Sequence, residues 1–290
     1  MDPLPSVETP PAPANGARPA CLDCGTPLVG PYCHGCGQRD QPPDLPVRHI
    51  VADALGDALA WDGRVLQTAR TLLRQPGALA VDWASGRRSR HVAPFRLYLL
   101  CSLLFVGVSA GYELAKDALV PVTETAEEDA AQLRDNLRGG IPQGKTEAVA
   151  RYIEGMVGLG VRWMFVLMPL GGFGLYVLYG LRRRSYAAHF VLAIHVFCVV
   201  VLLLAVRRLI QLAVTLATGD TLAHVNGTIN TLVILAVFAA SYVYATLSIR
   251  RFYGVSTIKA IASAPAVTVG PVVAWIALLL TGMFLILAWP

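Results

Sequence analysis

Charge is scarce in this chain. Asp, Glu, Lys and Arg make up 15% of its 290 residues, against roughly 25% in an ordinary soluble domain. That scarcity excludes a disordered chain, a coiled coil and a nucleic-acid-binding protein that works by massed charge. The net charge is +5, so where the charges sit matters more than their sum. HExxH, a Walker A loop, GxSxG and a dinucleotide fingerprint are all missing, which leans against an enzyme. No basic segment precedes an apolar one at the start, so residues 1–20, with six prolines, read as a disordered tail and not a cleaved signal. There is no visible internal repeat.

What is abundant is apolar sequence: 55% hydrophobic residues and a mean hydropathy of +0.54. A bilayer core needs about 20 mostly apolar helical residues. Five stretches lack Asp, Glu, Lys and Arg: 97–112, 163–181, 185–206, 221–249 and 260–290. Hiding five such runs would require a very large soluble core. The chain therefore reads as an all-α polytopic membrane protein with a transmembrane domain over 94–290. Its five spans fall at about 94–112, 163–181, 186–206, 226–249 and 266–289, with an outer loop at 113–162. Arg96 is expected to snorkel to the headgroups. The short apolar segment 209–219 either extends the third span or lies in the interface.

Basic residues favour the cytoplasmic side. Arg87, Arg88, Arg90 and Arg96 precede span one, Arg182, Arg183 and Arg184 follow span two, and Arg250, Arg251 and Lys259 follow span four. These form a basic collar at the membrane surface. The loop 113–162 holds six basic and nine acidic residues. The expected location is a bacterial inner membrane, with the N-terminus cytoplasmic, the C-terminus outside and span one as its own insertion signal. Trp163 and Trp289 then mark outer ends, and Tyr179, Tyr186, Tyr244 and Tyr253 inner ends. Arg207 and Arg208 dissent at the outer end of span three. They either pair with Glu124, Glu127, Glu128 and Asp129 or simply snorkel, the preferred reading.

The most specific motif lies at 21–40. Cys21 and Cys24 form one CxxC pair, Cys33 and Cys36 another, and Gly25 and Gly37 follow the pairs. A CxxC turn lets two thiolates face one ion, and two such turns complete a tetrahedral site. Four thiolates suit zinc, although iron fits too. With four protein ligands the Zn2+ is structural. His34, between ligands, is a weaker competitor. So small a head needs the metal for its folding energy. Cys101 and Cys198, inside spans, read as small packing residues.

Residues 47–92 form the neck. Apolar residues at Val47, Ile50, Val51, Ala54, Leu55 and Leu59, then Val65, Leu66, Ala69, Leu72 and Leu73, have helical spacing. Asp62-Gly63 and Pro76-Gly77 mark breaks. The amphipathic helices either lie on the membrane or pack as a unit on the spans.

One ordered series runs through Tyr32-Cys33-x-x-Cys36-Gly37-Gln38, Asp62-x-Arg64-x-x-x-Thr68-x-x-Thr71-Leu72, Pro76-Gly77, Trp83, Gly86-Arg87-Arg88, Pro94 and Arg96-Leu97-Tyr98. It resembles an uncharacterised family, a domain of unknown function, of bacterial inner-membrane proteins with an N-terminal four-cysteine zinc-ribbon head. The similarity covers roughly residues 21–105. It implies topology and bacterial origin and carries no assigned reaction. Where that family often has Tyr before its Pro, this chain has His91 three residues before Pro94.

The expected role is a non-enzymatic scaffold, adaptor or regulatory subunit. Its partners are membrane lipid and a protein at the cytoplasmic head, with no nucleic acid. The alternative is a small-solute transporter or channel. Pro169, Gly171, Gly172 and Gly174 interrupt span two, Pro265, Gly270 and Pro271 interrupt span five, and His195 would face a cavity. His189 lies six residues from His195, about 240° around the helix. A membrane enzyme would need a constellation such as His91 with Arg87, Arg88 and Arg96. Ala239, Ala240, Ser241 and Ala245 favour close helix contact within the chain or between copies in a homo-oligomer.

Overall fold

A computed structural model describes residues 19–42, 45–50, 63–119, 152, 162–180, 185–218 and 223–288. The N-terminal tail, neck residues 51–62, the acidic run of the outer loop, Arg182, Arg183, Arg184 and Trp289 lie outside the described residues.

The described chain is helical apart from the head, where two isolated bridges stand in place of strands. Helices α1 (Arg64–Arg74) and α2 (Ala78–Ala84) form the neck. The bundle comprises α3 (Pro94–Leu119), α4 (Arg162–Leu175), α5 (Tyr186–Thr218) and α6 (Ala223–Tyr253). A broken helix follows as α7 (Thr257–Ser263), α8 (Pro265–Thr268) and α9 (Gly270–Ala288). Pro265 opens α8 and Pro271 lies in the first turn of α9, positions where a missing N–H removes no helical bond.

Four helices are long and apolar enough to cross a membrane: Pro94–Lys116, Tyr186–Ala217, Ile229–Tyr253 and Thr257–Ala288. The second of the five expected spans is shorter among the described residues. Its apolar part covers Leu167–Tyr179, and α4 passes into a π-turn at Tyr176–Gly180.

Helix α5 is the axis of the bundle and packs on α3, α4 and α6. Apolar on all sides, it is suited to a core position. The segment 209–219 continues α5 without a break as far as Thr218. At 33 residues the helix is about 50 Å long, well beyond the roughly 30 Å of a hydrocarbon core. Its excess at the head end is covered by the neck, since α2 packs on both α5 and α6. Leu79, Ala80 and Trp83 of α2 are buried there. The Tyr244 hydroxyl donates to the Leu72 carbonyl at 3.0 Å, and Arg251 donates to the Pro76 carbonyl at 3.3 Å. Gly77, at φ +77°, sits so close to α6 that a Cβ would lie 2.8 Å from the Ser248 carbonyl oxygen. Tyr244, expected at an interface, is thus buried as a strut between bundle and neck.

Candidate metal centre and basic cavity

The head is two copies of one turn. Cys21 N–H donates to Thr26 O and Gly25 N–H to Cys21 O; twelve residues later Cys33 N–H donates to Gln38 O and Gly37 N–H to Cys33 O. Gly25 and Gly37 adopt φ of +76° and +73°, a region that favours glycine. The bridges Ala20 to Pro27 and Tyr32 to Arg39 close each turn.

The two turns bring Cys21, Cys24, Cys33 and Cys36 together, with all four sulfurs within 4.8 Å of one another. Cys21 and Cys36 Sγ lie 3.6 Å apart, and Cys24 and Cys33 Sγ 3.4 Å apart. Tetrahedral thiolates about 2.3 Å from a metal ion stand about 3.8 Å from each other, so the set fits an ion with little adjustment. His34 is exposed and outside this group. Hydrogen bonds from Thr26, first its hydroxyl and then its backbone, lower the Cys24 thiol to about 6. Desolvation pushes Cys36 up to about 12. Metal loading therefore displaces a proton from Cys36 and weakens as pH falls.

The head is clamped to the neck. Gln38 Nε2 donates to Gly86 O at 2.7 Å, and its Oε1 accepts from the amides of Arg88 and Ser89 at 2.9 and 3.1 Å. Asp23, buried inside the first CxxC, accepts from the Ser89 hydroxyl and pairs with Arg90 at 3.2 Å. Gly86, at φ +82°, has no Cβ to displace Leu22. Leu22 and Asp23, the spacer residues of the CxxC, are thus the docking surface. Sequence reasoning missed this pairing, because a separation of 67 positions between Asp23 and Arg90 leaves no local signal.

Between head, neck and the starts of α3 and α5 lies a cavity of about 230 Å³. Arg39, Arg64, Arg87, Arg88, Arg96, His91 and His195 line it, together with Trp83. No acidic residue lines it among the described residues. Asp82, just outside, holds Arg87 at 2.6 Å and His91 at 3.4 Å. Arg88 lies over the Trp83 ring at 4.4 Å and donates to Pro42 O. Arg64 donates to Ser89 O at 3.2 Å. The Thr68 hydroxyl anchors the wall by accepting from the Val92 amide at 3.0 Å.

The basic collar thus divides. Arg90 pairs with the head, Arg87 and Arg88 line the cavity, Arg251 holds the neck and Arg250 is exposed. Arg96, expected to snorkel, is instead 5% exposed, and its Nε and Nη2 find no hydrogen-bond acceptor among the described residues. The reason is geometric: Arg96 lies in the first turn of α3, beneath the neck. His195 is 3% exposed at the same cavity, whereas His189 packs against Tyr176 and Tyr253.

The remaining singled-out residues serve packing. A Cβ at Gly172 would lie 2.9 Å from Phe190 Cα, and one at Gly171 would lie 3.3 Å from both Phe197 and Val267 side chains. Both glycines stand where α4 meets its neighbours closely, a packing role common for glycine in such helices. Cys101 and Cys198 are buried within α3 and α5. At the far end of α5, Arg207 donates to Asn230 at 2.9 Å, and Arg208 approaches Glu113 at 3.6 Å and the Tyr112 ring at 4.9 Å. Among the described residues, the acid that meets Arg208 is Glu113 on α3.

Comparison with curated proteins and with solved structures finds no match. Residues 62–106 match a family described as protein of unknown function (DUF3667). That stretch covers the neck and the first half of α3 and supplies most of the cavity wall, while the four-cysteine head lies outside it.

Proposed function

We propose that this chain is a non-enzymatic adaptor or regulatory subunit of a bacterial inner membrane, with a structural zinc ion in a cytoplasmic head. The observation that carries the reading is the clamp. A closed four-thiolate site is joined through Gln38 and Asp23 to the neck, which packs on the bundle, instead of hanging on a loose tether. Whatever the head meets is thereby linked mechanically to α3, α5 and α6. The head leaves Val29 and Tyr32 exposed, at 68% and 60%, as a surface for a protein partner.

Five spans fit this reading, with α4 and its π-turn forming the second crossing and the basic segments facing the cytoplasm. An alkaline phosphatase fused to the C-terminus is then active outside the cell. The test of the role is Cys33→Ser with Cys36→Ser, combined with in-cell crosslinking and metal analysis. Wild type is expected to hold about one zinc ion per four-cysteine site, and the variant to lose both zinc and crosslinked protein. An unfolded head with unchanged crosslinked partners would sink the reading.

A further inference from the structure

We infer that the cavity between head, neck and bundle is a binding site for a phosphate group, carried on a lipid or on a small soluble molecule.

The first observation is the gradient of exposure. Arg39 and Arg64 are exposed at the rim, Arg87 and Arg88 are half-buried along the wall, and Arg96 and His195 are buried at the floor. A funnel of one sign draws an anion inward, and the field strengthens as water thins out. The second observation is Arg96. A guanidinium stays protonated at any physiological pH, and a buried charge without a partner is strongly destabilising. Arg96 lines the cavity floor, and its buried Nε and Nη2 lack acceptors among the described residues. His91 adds a buried Nδ1 without a hydrogen-bond partner among the described residues.

Phosphate is favoured over carboxylate by shape and charge. Arg39 comes from the head, Arg64 from α1, Arg88 from the neck and Arg96 from α3. Donors converging from four elements suit a tetrahedral group better than a planar one with two oxygens. A phosphomonoester carries about −1.5 to −2, more charge than a carboxylate brings to a wall lined by several arginines. At about 230 Å³ the space also exceeds the roughly 150 Å³ that holds benzene, so a phosphate with a small substituent fits.

The experiment uses the full chain, metal-loaded, in neutral detergent. Inorganic phosphate binding is measured by equilibrium dialysis, and phosphatidic acid retention by native mass spectrometry, with phosphatidylcholine as the neutral control. Wild type is expected to bind at least one probe. Arg96→Gln is expected to weaken it by about tenfold or more, and Arg250→Gln, far from the cavity wall, to leave it unchanged. Should Arg96→Gln fail to fold, as judged by metal content and melting, Arg88→Gln replaces it with the same expected loss. Lipid retention without phosphate binding assigns the group to a headgroup. Phosphate binding without lipid retention assigns it to a soluble ligand. Failure of both probes, or equal binding by wild type and both cavity variants, overturns the inference. Zinc content and crosslinking are read separately, so the adaptor reading stands or falls independently.

Discussion

Helices α5 and α9 both carry long apolar runs, yet they come to rest in opposite surroundings. In the most apolar windows, 72% of α5 is buried inside the protein, against 6% of the stretch containing α9. The head end of α5 carries Ala187, Ala188 and Ala193, all buried, and small residues let neighbouring helices approach. Helix α9 turns Leu278, Leu280, Phe284 and Leu285 outward, each more than half exposed, a surface suited to lipid. Apolarity removes a helix from water without choosing between a protein neighbour and a lipid one.

The largest expected effect concerns what is attached to α5 through the neck. A structural thiolate site contributes about 10 kcal/mol or more to its own fold. Chelation is expected to unfold residues 19–42 and to expose the amides of Arg88 and Ser89 to hydrogen exchange, with α5 still protected. Unchanged exchange at those amides would disprove the clamp. Next comes Leu192→Ala on α5, where a fully buried side chain is removed. The expected cost is about 2–5 kcal/mol, read from the unfolding midpoint in detergent. Gly172→Ala drives a methyl toward the Phe190 backbone and is expected to cost about 1–3 kcal/mol, checked by the same melt. Smallest is Leu280→Ala on α9, expected within about 0.5 kcal/mol. A loss comparable to that of Leu192→Ala would mean that α9 packs on protein, such as a second copy, and would erase the contrast.

Much of the architecture was legible beforehand. The paired CxxC turns, the apolar runs and the break at Pro76-Gly77 are local, and each reports its structure through spacing alone. The cavity was not legible as a whole. Arg96 and His195 stand on different helices, and periodicity gives the face of a helix without naming what the face meets. Arg96 read as a snorkelling side chain because a charge beside an apolar run looks the same whether lipid or a folded neck lies next to it. Arg207 and Arg208 read as snorkelling side chains for the same reason, although Asn230 and Glu113 meet them.

By itself, the amino-acid sequence determined which segments are apolar enough for a bilayer and which four thiols cluster. Apolar length suits a helix to a bilayer, and paired CxxC spacing suits four thiols to one ion. Only the tertiary structure decided that the head caps the bundle, that α5 is enclosed, and that arginines from the head, α1, the neck and α3 converge on one cavity. Hydrophobic burial has no direction, and lipid tails are as apolar as leucine. The choice of neighbour therefore falls to shape, and to the few buried polar groups that must find one another.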